Sequence, residues 1–412
     1  MTGYNRYYKA CLLLLLASFT GNVLASGDHK QHTKKPVSSC DVAQAASVKC
    51  ALAPSAVFDA SGRLWLAWAY GGHVYVNYSD DKGKSFSPAL AVNRIAEEIS
   101  ARGENRPKIA LDQKGAIYVS WTMPLEKRFT GHIRFSYSTD GGYHFSEPVI
   151  VNDNWDVTGH RFDALGVNRQ GDVYIAWLDK RDRFKAAKSG EKYHGAAVYF
   201  SWSDDGGKSF KPDKKIIDHS CECCRVIIDF DEKDLPVILW RNIYGKDVRD
   251  HAIVNFLSKD TPAKPQRVSF DEWHIDACPH HGPDMSINDN GDYHLVWFNN
   301  AAARHGLFYA RHDQASNRMI EAVQFGDFSK AASHATVIHR ENTVWLAWKQ
   351  FDGKEESVWL QKSTDNGDSW QQAEKIAVTA GSADYPFLIR DKDQVYLQWQ
   401  TEVEGFRLIS VN

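Results

Sequence analysis

A strand-like run that ends in tryptophan recurs seven times along this chain of 412 residues. Each run is rich in β-branched and aromatic residues and most follow a turn such as DASG, DQKG, NRQG or NDNG, which is typical of a strand after a tight turn. Another short strand precedes each turn, and two more follow the tryptophan. Four strands in a repeat of about 50 residues are typical of one blade of a β-propeller. The repeats end at Trp68, Trp121, Trp177, Trp240, Trp297, Trp348 and Trp399.

The repetition predicts an all-β chain with one propeller domain over residues 41–412, built from four-stranded antiparallel blades. Seven tryptophans predict seven blades, and six blades with an irregular subdomain is the alternative. After Trp399 the chain is long enough for only one further strand, in the segment RLISVN. We therefore expect residues 41–49 to supply the last strand of that blade, which would remove two exposed sheet edges.

A second motif occurs between the third and fourth strands of four repeats. The sequences SDDKGKSF, STDGGYHF, SDDGGKSF and STDNGDSW share the pattern Ser-x-Asp-x-Gly-x-x-aromatic. In a tight turn the aspartate can accept backbone N–H bonds, and the glycine allows a positive φ. The motif resembles the Asp box of the sialidase superfamily, and the resemblance extends over essentially the whole propeller segment. Asp boxes are structural in that family, so the resemblance implies the fold but no chemistry for Asp81, Asp140, Asp205 and Asp365.

The N-terminal residues are typical of a secretory signal peptide. A positively charged start is followed by an apolar stretch over 10–19 and by the small-residue sequence VLA. We predict a signal peptide over 1–25, a disordered polar segment over 26–40, and export to the periplasm or beyond. The apolar stretch is too short to span a bilayer. A net charge of −3 gives no indication of a nucleic-acid partner.

Six cysteines follow the predicted signal peptide, and an even number in an oxidising compartment indicates disulfides. Three of them crowd the segment SCECCRV at 220–226, where they cannot all easily adopt good disulfide geometry. The segment ACPHHGPDMS at 277–286 adds one cysteine beside two histidines. The six are Cys40, Cys50, Cys221, Cys223, Cys224 and Cys278.

Two interpretations of these segments stay open. One is a transition-metal site, because thiolates and imidazoles suit copper(I) or zinc, with copper favoured in an exported protein. The other is a set of structural disulfides in a non-catalytic scaffold that binds a protein partner. The predicted metal ligands are Cys221, Cys223, Cys224, Cys278, His280 and His281.

The distance to the tryptophan of the same repeat predicts where these residues lie. Cys221 and Cys278 each stand 19 residues before it (240 − 221 and 297 − 278), and Cys223 and His280 each stand 17 before it. The first strand of each propeller blade lines the central channel, so the residues that lead into it should gather at one channel mouth. We expect the thiols and imidazoles to meet there, with Cys50 adjacent.

The resemblance to sialidases also implies an exo-α-sialidase-like glycoside hydrolase. Sialidases hold a substrate carboxylate with three arginines and use a tyrosine nucleophile activated by a glutamate, with an aspartate as acid/base. No glutamate is predicted at the channel mouth. The predicted ligand at this mouth is either a metal ion or a small anionic or glycan molecule. An ion pair between blades is the alternative role of each arginine. The residues that the resemblance implies are Arg106, Arg161 and Arg225, with Tyr385 and either Asp163 or Asp384.

Overall fold

The computed structural model describes residues 46–316 and 318–411 of the chain. They belong to one compact all-β unit, Gln44–Asn412. Its described helices are α1, Arg181–Ser189, and two 3-10 turns, Val48–Cys50 and Phe328–Lys330. The predicted signal peptide, the polar segment and Cys40 lie outside the described residues.

The strands pair in chain order into antiparallel sheets, as the repeats predict. The first sheet contains β1 Leu52–Phe58, β2 Leu64–Tyr70, β3 His73–Ser79 and β4 Leu90–Ala91. The second contains β5 Lys108–Leu111, β6 Ile117–Pro124, β7 Gly131–Ser138 and β8 Val149–Ile150. The third group contains β9 His160–Val167, β10 Val173–Asp179, β11 Ala196–Ser203 and β12 Lys214–Ser220.

The next two groups have fragmented outer strands, and both lack an Asp box. One contains β13 Ile227–Phe230, β14 Pro236–Tyr244, β15 Val248–Ser258, β16 Thr261–Pro262 and β17 Gln266–Arg267. The other contains β18 Asp284–Ile287, β19 Tyr293–Asn300, β20 His305–Asp313, β21 Arg318–Met319 and β22 Val323–Phe325.

The last two sheets complete the chain. One contains β23 Ser333–Arg340, β24 Thr343–Phe351, β25 Glu356–Ser363 and β26 Glu374–Thr379. The other contains β27 Phe387–Arg390, β28 Val395–Thr401 and β29 Gly405–Val411. The fourth strand predicted from residues 41–49 is not seen in its described part, because Val48–Cys50 is a 3-10 turn that packs against β29.

The repeated tryptophans lie on the second strand of each group and are all buried. All but Trp348 donate the indole N–H to a nearby oxygen, such as Asn242 Oδ1 for Trp240, at 3.0 Å. A large apolar ring whose N–H is hydrogen-bonded can be buried between sheets with little desolvation penalty for that N–H. The tryptophan pattern therefore marks the packed middle of each repeat.

The first strands of the groups form a closed ring. Each contacts the first strand of the next group, and β27 contacts β1. A cavity of about 470 Å³ runs between them, and every first strand lines it, through residues that include Ala56, Lys108, Leu165, Ile228, Ser286, Ile338 and Ile389. This is the predicted central channel, while the number of blades stays a prediction.

The Asp boxes form the predicted turns. In the first, Asp81 Oδ1 accepts a hydrogen bond from the Ser85 backbone N–H at 2.8 Å, and Ser79 Oγ accepts one from the Gly83 N–H at 2.8 Å. The box glycines have φ values between 82° and 88°, where a side chain would be strained. The same bonds recur around Asp140, Asp205 and Asp365.

Candidate functional site

The loops that lead into the first strands meet at one mouth of the channel. The Glu104 carboxylate, before β5, accepts hydrogen bonds from the backbone N–H of Arg225, before β13, at 2.7 Å and of Gly282, before β18, at 2.8 Å. A Cβ added at Gly282 would lie 2.3 Å from the Arg225 Cβ and 2.5 Å from its backbone nitrogen. The segments CECC and CPHH are therefore held directly against each other.

The CECC segment starts where the third and fourth groups of strands join. Ser220, the last residue of β12, pairs with Asn242 of β14, and the next N–H, of Cys221, donates to the Arg241 carbonyl at 2.9 Å. Gly195 allows the chain before β11 to pass close to Ser220, since a Cβ at Gly195 would lie 2.0 Å from the Ser220 carbonyl oxygen. The backbone of Cys221 is thus fixed against Arg241 of β14.

One disulfide links the two cysteine segments. It joins Cys223 to Cys278, with 6.0 Å between their Cα atoms, while Cys221 and Cys224 are free thiols. Cys221 and Cys224 are at most 1% exposed. Cys50 is also disulfide-bonded, and Cys40 lies outside the described residues.

The sulfur atoms form two overlapping groups of potential metal ligands. Cys221, Cys223 and Cys224 have ligand atoms within 4.8 Å of one another, and so do Cys223, Cys278 and His280. Cys221 Sγ lies 3.9 Å from Cys223 Sγ. The predicted ligand His281 belongs to neither group within the described part of the chain. Its ring stacks on Phe298 instead, with 4.0 Å between ring centroids.

Two buried guanidinium groups face this cluster. Arg241 donates to the carbonyls of Arg249, His281 and Phe298, and Arg249 donates to that of Ile275. Within residues 46–316 and 318–411, neither arginine forms a salt bridge with a carboxylate. Burial raises the pKa of the Asp271 carboxyl and the charge of Arg241 opposes that shift, so Arg241 already has one acidic neighbour beyond salt-bridge distance. A thiolate at Cys221 would be a second negative charge beside these buried cations.

The free thiols can supply that charge. Burial raises the pKa of the Cys221 thiol, but a hydrogen bond from Cys224 and the charges of Arg241 and Arg249 lower it to about 7. Burial and the neighbouring Cys221 raise the pKa of Cys224 well above its ordinary value. Of the two thiols, Cys221 is therefore the one that ionises first.

Two of the three predicted arginines lie together, but both have partners in the protein. The guanidinium carbons of Arg106 and Arg225 lie 4.5 and 5.2 Å from the centroid of the Phe387 ring. Arg106 binds Asp384 Oδ1 at 2.7 Å and two carbonyls, and Arg225 binds two carbonyls. Arg161 lines a separate cavity of about 450 Å³ at the same mouth.

That second cavity also contains Tyr385, Glu104 and His280. The Tyr385 ring stacks on the imidazole of His334, with 3.5 Å between centroids. Burial, together with the charges of Glu104 and Asp384, raises the pKa of Tyr385 to about 12. The phenol is therefore neutral at physiological pH.

Asp163 lies apart from this cavity. It is buried in β9 and accepts a hydrogen bond from Ser120 Oγ at 2.6 Å, and Lys108 Nζ lies 3.9 Å away. This carboxylate ties β9 to the neighbouring sheet.

No family model matches the chain, and no curated protein sequence is similar to it. Solved structures match most of its length. An ulvan lyase, from a new family of polysaccharide lyases, is 10% identical with a TM-score of 0.58 and covers 87% of this chain and 93% of its own. A protein of unknown function from Dyadobacter fermentans is 15% identical with a TM-score of 0.53, covering 76% and 95%. A Hadza microbial sialidase is 12% identical with a TM-score of 0.49, covering 83% and 74%.

The ring of antiparallel sheets, the Asp boxes and the matches to the ulvan lyase and the Dyadobacter fermentans protein agree. This chain is a sialidase-like β-propeller. At such identities the similarity shows the fold and no activity. Across the described residues, no helix of this propeller is long and apolar enough to cross a membrane.

Two residues of the propeller mouth were missed from the sequence. Glu104 was not identified as a glutamate at the mouth, although it stands 17 residues before Trp121 (121 − 104), the distance found for Cys223 and His280. The tryptophan spacing could therefore have located it. His334 stands 14 residues before Trp348 (348 − 334) and carries no comparable signal.

Proposed function

We propose that this propeller is an exported protein that binds copper(I) through Cys221 and Cys224. The observation that carries the proposal is the pair of buried free thiols beside Arg241 and Arg249, two buried cations without a carboxylate partner in the described chain. Soft thiolates select copper(I) and zinc over harder metals. An exported protein that keeps two thiols out of disulfides needs a use for them.

Charge favours copper over zinc at this pair. Copper(I) with two thiolates carries one net negative charge, which the buried guanidinium groups can neutralise. Zinc with two thiolates is neutral and leaves both arginines uncompensated. The thiol sulfurs lie within 4.8 Å of each other, close enough for one metal ion to bind both.

Metal analysis and thiol counting test this proposal together. Protein isolated without chelators from the periplasmic or extracellular fraction is expected to hold one copper per chain and, after denaturation, two alkylatable thiols. The double variant Cys221→Ser/Cys224→Ser should lose the copper. The matched variant Cys223→Ser/Cys278→Ser, which removes the neighbouring disulfide, should retain it. Protein without free thiols and without stoichiometric metal would leave a structural scaffold as the function.

A second candidate is the glycoside hydrolase, favoured by one observation. Glu104 and Tyr385 line one cavity with Arg161, so a glutamate and a tyrosine meet there beside a cation. A fluorogenic sialoside tests this function, with Tyr385→Phe as the inactive variant. Against it, the guanidinium groups of Arg106 and Arg225 already bind protein oxygens. Absence of turnover by the wild-type protein would remove this candidate.

A further inference from the structure

The two residues of the Cys223–Cys278 disulfide differ in accessibility. Cys278 lies in an exposed stretch, residues 276–278, whereas Cys223 is 4% exposed. An external thiolate can therefore approach the disulfide from the Cys278 side, which makes Cys223 the leaving group. The released Cys223 sulfur would remain inside the cluster, 3.9 Å from Cys221 Sγ.

We propose that this disulfide exchanges with a dithiol partner and that its reduction adds Cys223 to the copper site as a third thiolate. The role of the third thiolate rests on the copper function proposed above, whereas the exchange reaction does not. The partner is a protein or small molecule with two neighbouring thiols that can approach the exposed Cys278.

The exchange proceeds in two balanced steps. A thiolate of the partner attacks Cys278 Sγ, a partner–Cys278 disulfide forms, and the electron pair of the broken bond leaves on Cys223 Sγ. The second thiol of the partner loses its proton and attacks the partner's first sulfur, which releases Cys278 as a thiolate that takes up a proton. The partner is oxidised by two electrons, and the Cys223–Cys278 disulfide is reduced to a Cys223 thiolate and a Cys278 thiol.

The site is already arranged for the third ligand. The sulfurs of Cys221, Cys223 and Cys224 lie within 4.8 Å of one another without any movement. Copper(I) with three thiolates carries two negative charges, which match the two positive charges of Arg241 and Arg249. The Glu104 bonds to the Arg225 and Gly282 N–H groups hold both segments in place when the disulfide opens.

Differential alkylation of the metal-free full-length chain tests the exchange. The protein is treated with increasing dithiothreitol and alkylated in the native state, in which Cys278 is exposed. It is then denatured and labelled with a second alkylating reagent of different mass, and the labels are mapped by mass spectrometry. Cys223 and Cys278 are expected to become reduced at a reductant level that leaves Cys50, which is 9% exposed and disulfide-bonded, oxidised. A Cys223–Cys278 bond that stays oxidised at reductant levels that reduce Cys50 would overturn the proposal.

Copper(I) competition with bathocuproine disulfonate, after anaerobic removal of the dithiothreitol, tests the third ligand. Reduction should raise the affinity for copper(I) at least about tenfold. Loss of an outer-shell partner already lowers the affinity of metal sites by about tenfold or more, and a direct ligand should contribute at least as much. Cys278→Ser leaves Cys223 as a thiol and should bind copper(I) with the higher affinity both before and after reduction. Cys223→Ser should bind copper(I) with the lower affinity both before and after reduction.

The outcomes separate the two proposals. Equal copper affinity before and after reduction, with Cys278→Ser no tighter than Cys223→Ser, would overturn the third-ligand role. Selective reduction of Cys223–Cys278 without copper binding in any state would overturn the copper function and support the exchange reaction. The wild-type labelling pattern decides the exchange even if a variant fails to fold.

Discussion

The carboxylate of Glu104 accepts a hydrogen bond from the backbone N–H of Gly282, 2.8 Å away. The same carboxylate binds the Arg225 N–H at 2.7 Å, so a single buried side chain from the loop before β5 fastens the two cysteine-bearing loops to each other. Neither loop forms a strand at these positions, and such loops need side-chain partners for their buried backbone groups. Glu104 is therefore a positioning residue of the cluster.

We expect Glu104→Gln to weaken copper(I) binding by about 10- to 100-fold, as loss of an outer-shell partner does in other metal sites. The amide replaces one carboxylate oxygen with a donor that cannot accept either N–H. Copper(I) competition and thermal melting are the measurements. Glu98→Gln, at an exposed position of the same loop, is the control, and equal affinity of the two variants would contradict the positioning role.

Gly282→Ala should destabilise the propeller by about 1–3 kcal/mol, the usual range for overpacking. The added methyl group would press on the Arg225 backbone, which cannot turn aside as a side chain can. Gly381→Ala is the matched control, because its methyl group would meet the Val403 side chain at 2.8 Å. Chemical denaturation of both variants compares them, and a Gly381→Ala loss as large as that of Gly282→Ala would contradict this explanation.

The tryptophan spacing predicted the fold and the meeting of the loops because both follow from the strand order. Trp240 and Trp297 occupy equivalent positions on β14 and β19, so Cys221 and Cys278 had to approach the same end of the channel. A repeat of fixed length carries this information in the sequence alone.

The sulfur pairing could not be predicted, because it depends on side-chain direction in irregular loops. Cys221 and Cys278 share one spacing, yet Cys223 is the residue bonded to Cys278. His280 has a positive φ of 53°, and the next residue, His281, stacks on Phe298 away from the sulfurs. No periodic pattern sets such backbone angles, so the ligand set needed the structure.

The charge of Arg241 should contribute to copper affinity beyond the shape of its side chain. We expect Arg241→Gln to weaken copper(I) binding more than Arg241→Lys, because only the lysine keeps a cation beside the anionic thiolate complex. Competition assays at one pH, on proteins shown to be folded by circular dichroism, make the comparison. Equal losses in the two variants would indicate that the hydrogen bonds of Arg241 to the His281 and Phe298 carbonyls matter instead of its charge.

The Asp boxes should make the propeller sensitive to acid. Hydrogen bonds from the Ser369 hydroxyl, the Ser369 N–H and the Ser363 hydroxyl lower the pKa of Asp365 from 3.8 to about 2. A carboxylate with a depressed folded-state pKa stabilises the fold above its unfolded pKa, and this stabilisation is lost as the pH falls from about 4 to about 2.

Asp365→Asn should therefore flatten the dependence of the free energy of unfolding on pH across that interval, while lowering the free energy itself at neutral pH. Denaturant titrations at several pH values between 2 and 7 measure both effects. Asp289→Asn, at the exposed turn between β18 and β19, is the control for loss of a carboxylate outside an Asp box. An Asp365→Asn curve parallel to the wild-type curve would show that the box hydrogen bonds do not bias this carboxylate toward its ionised form.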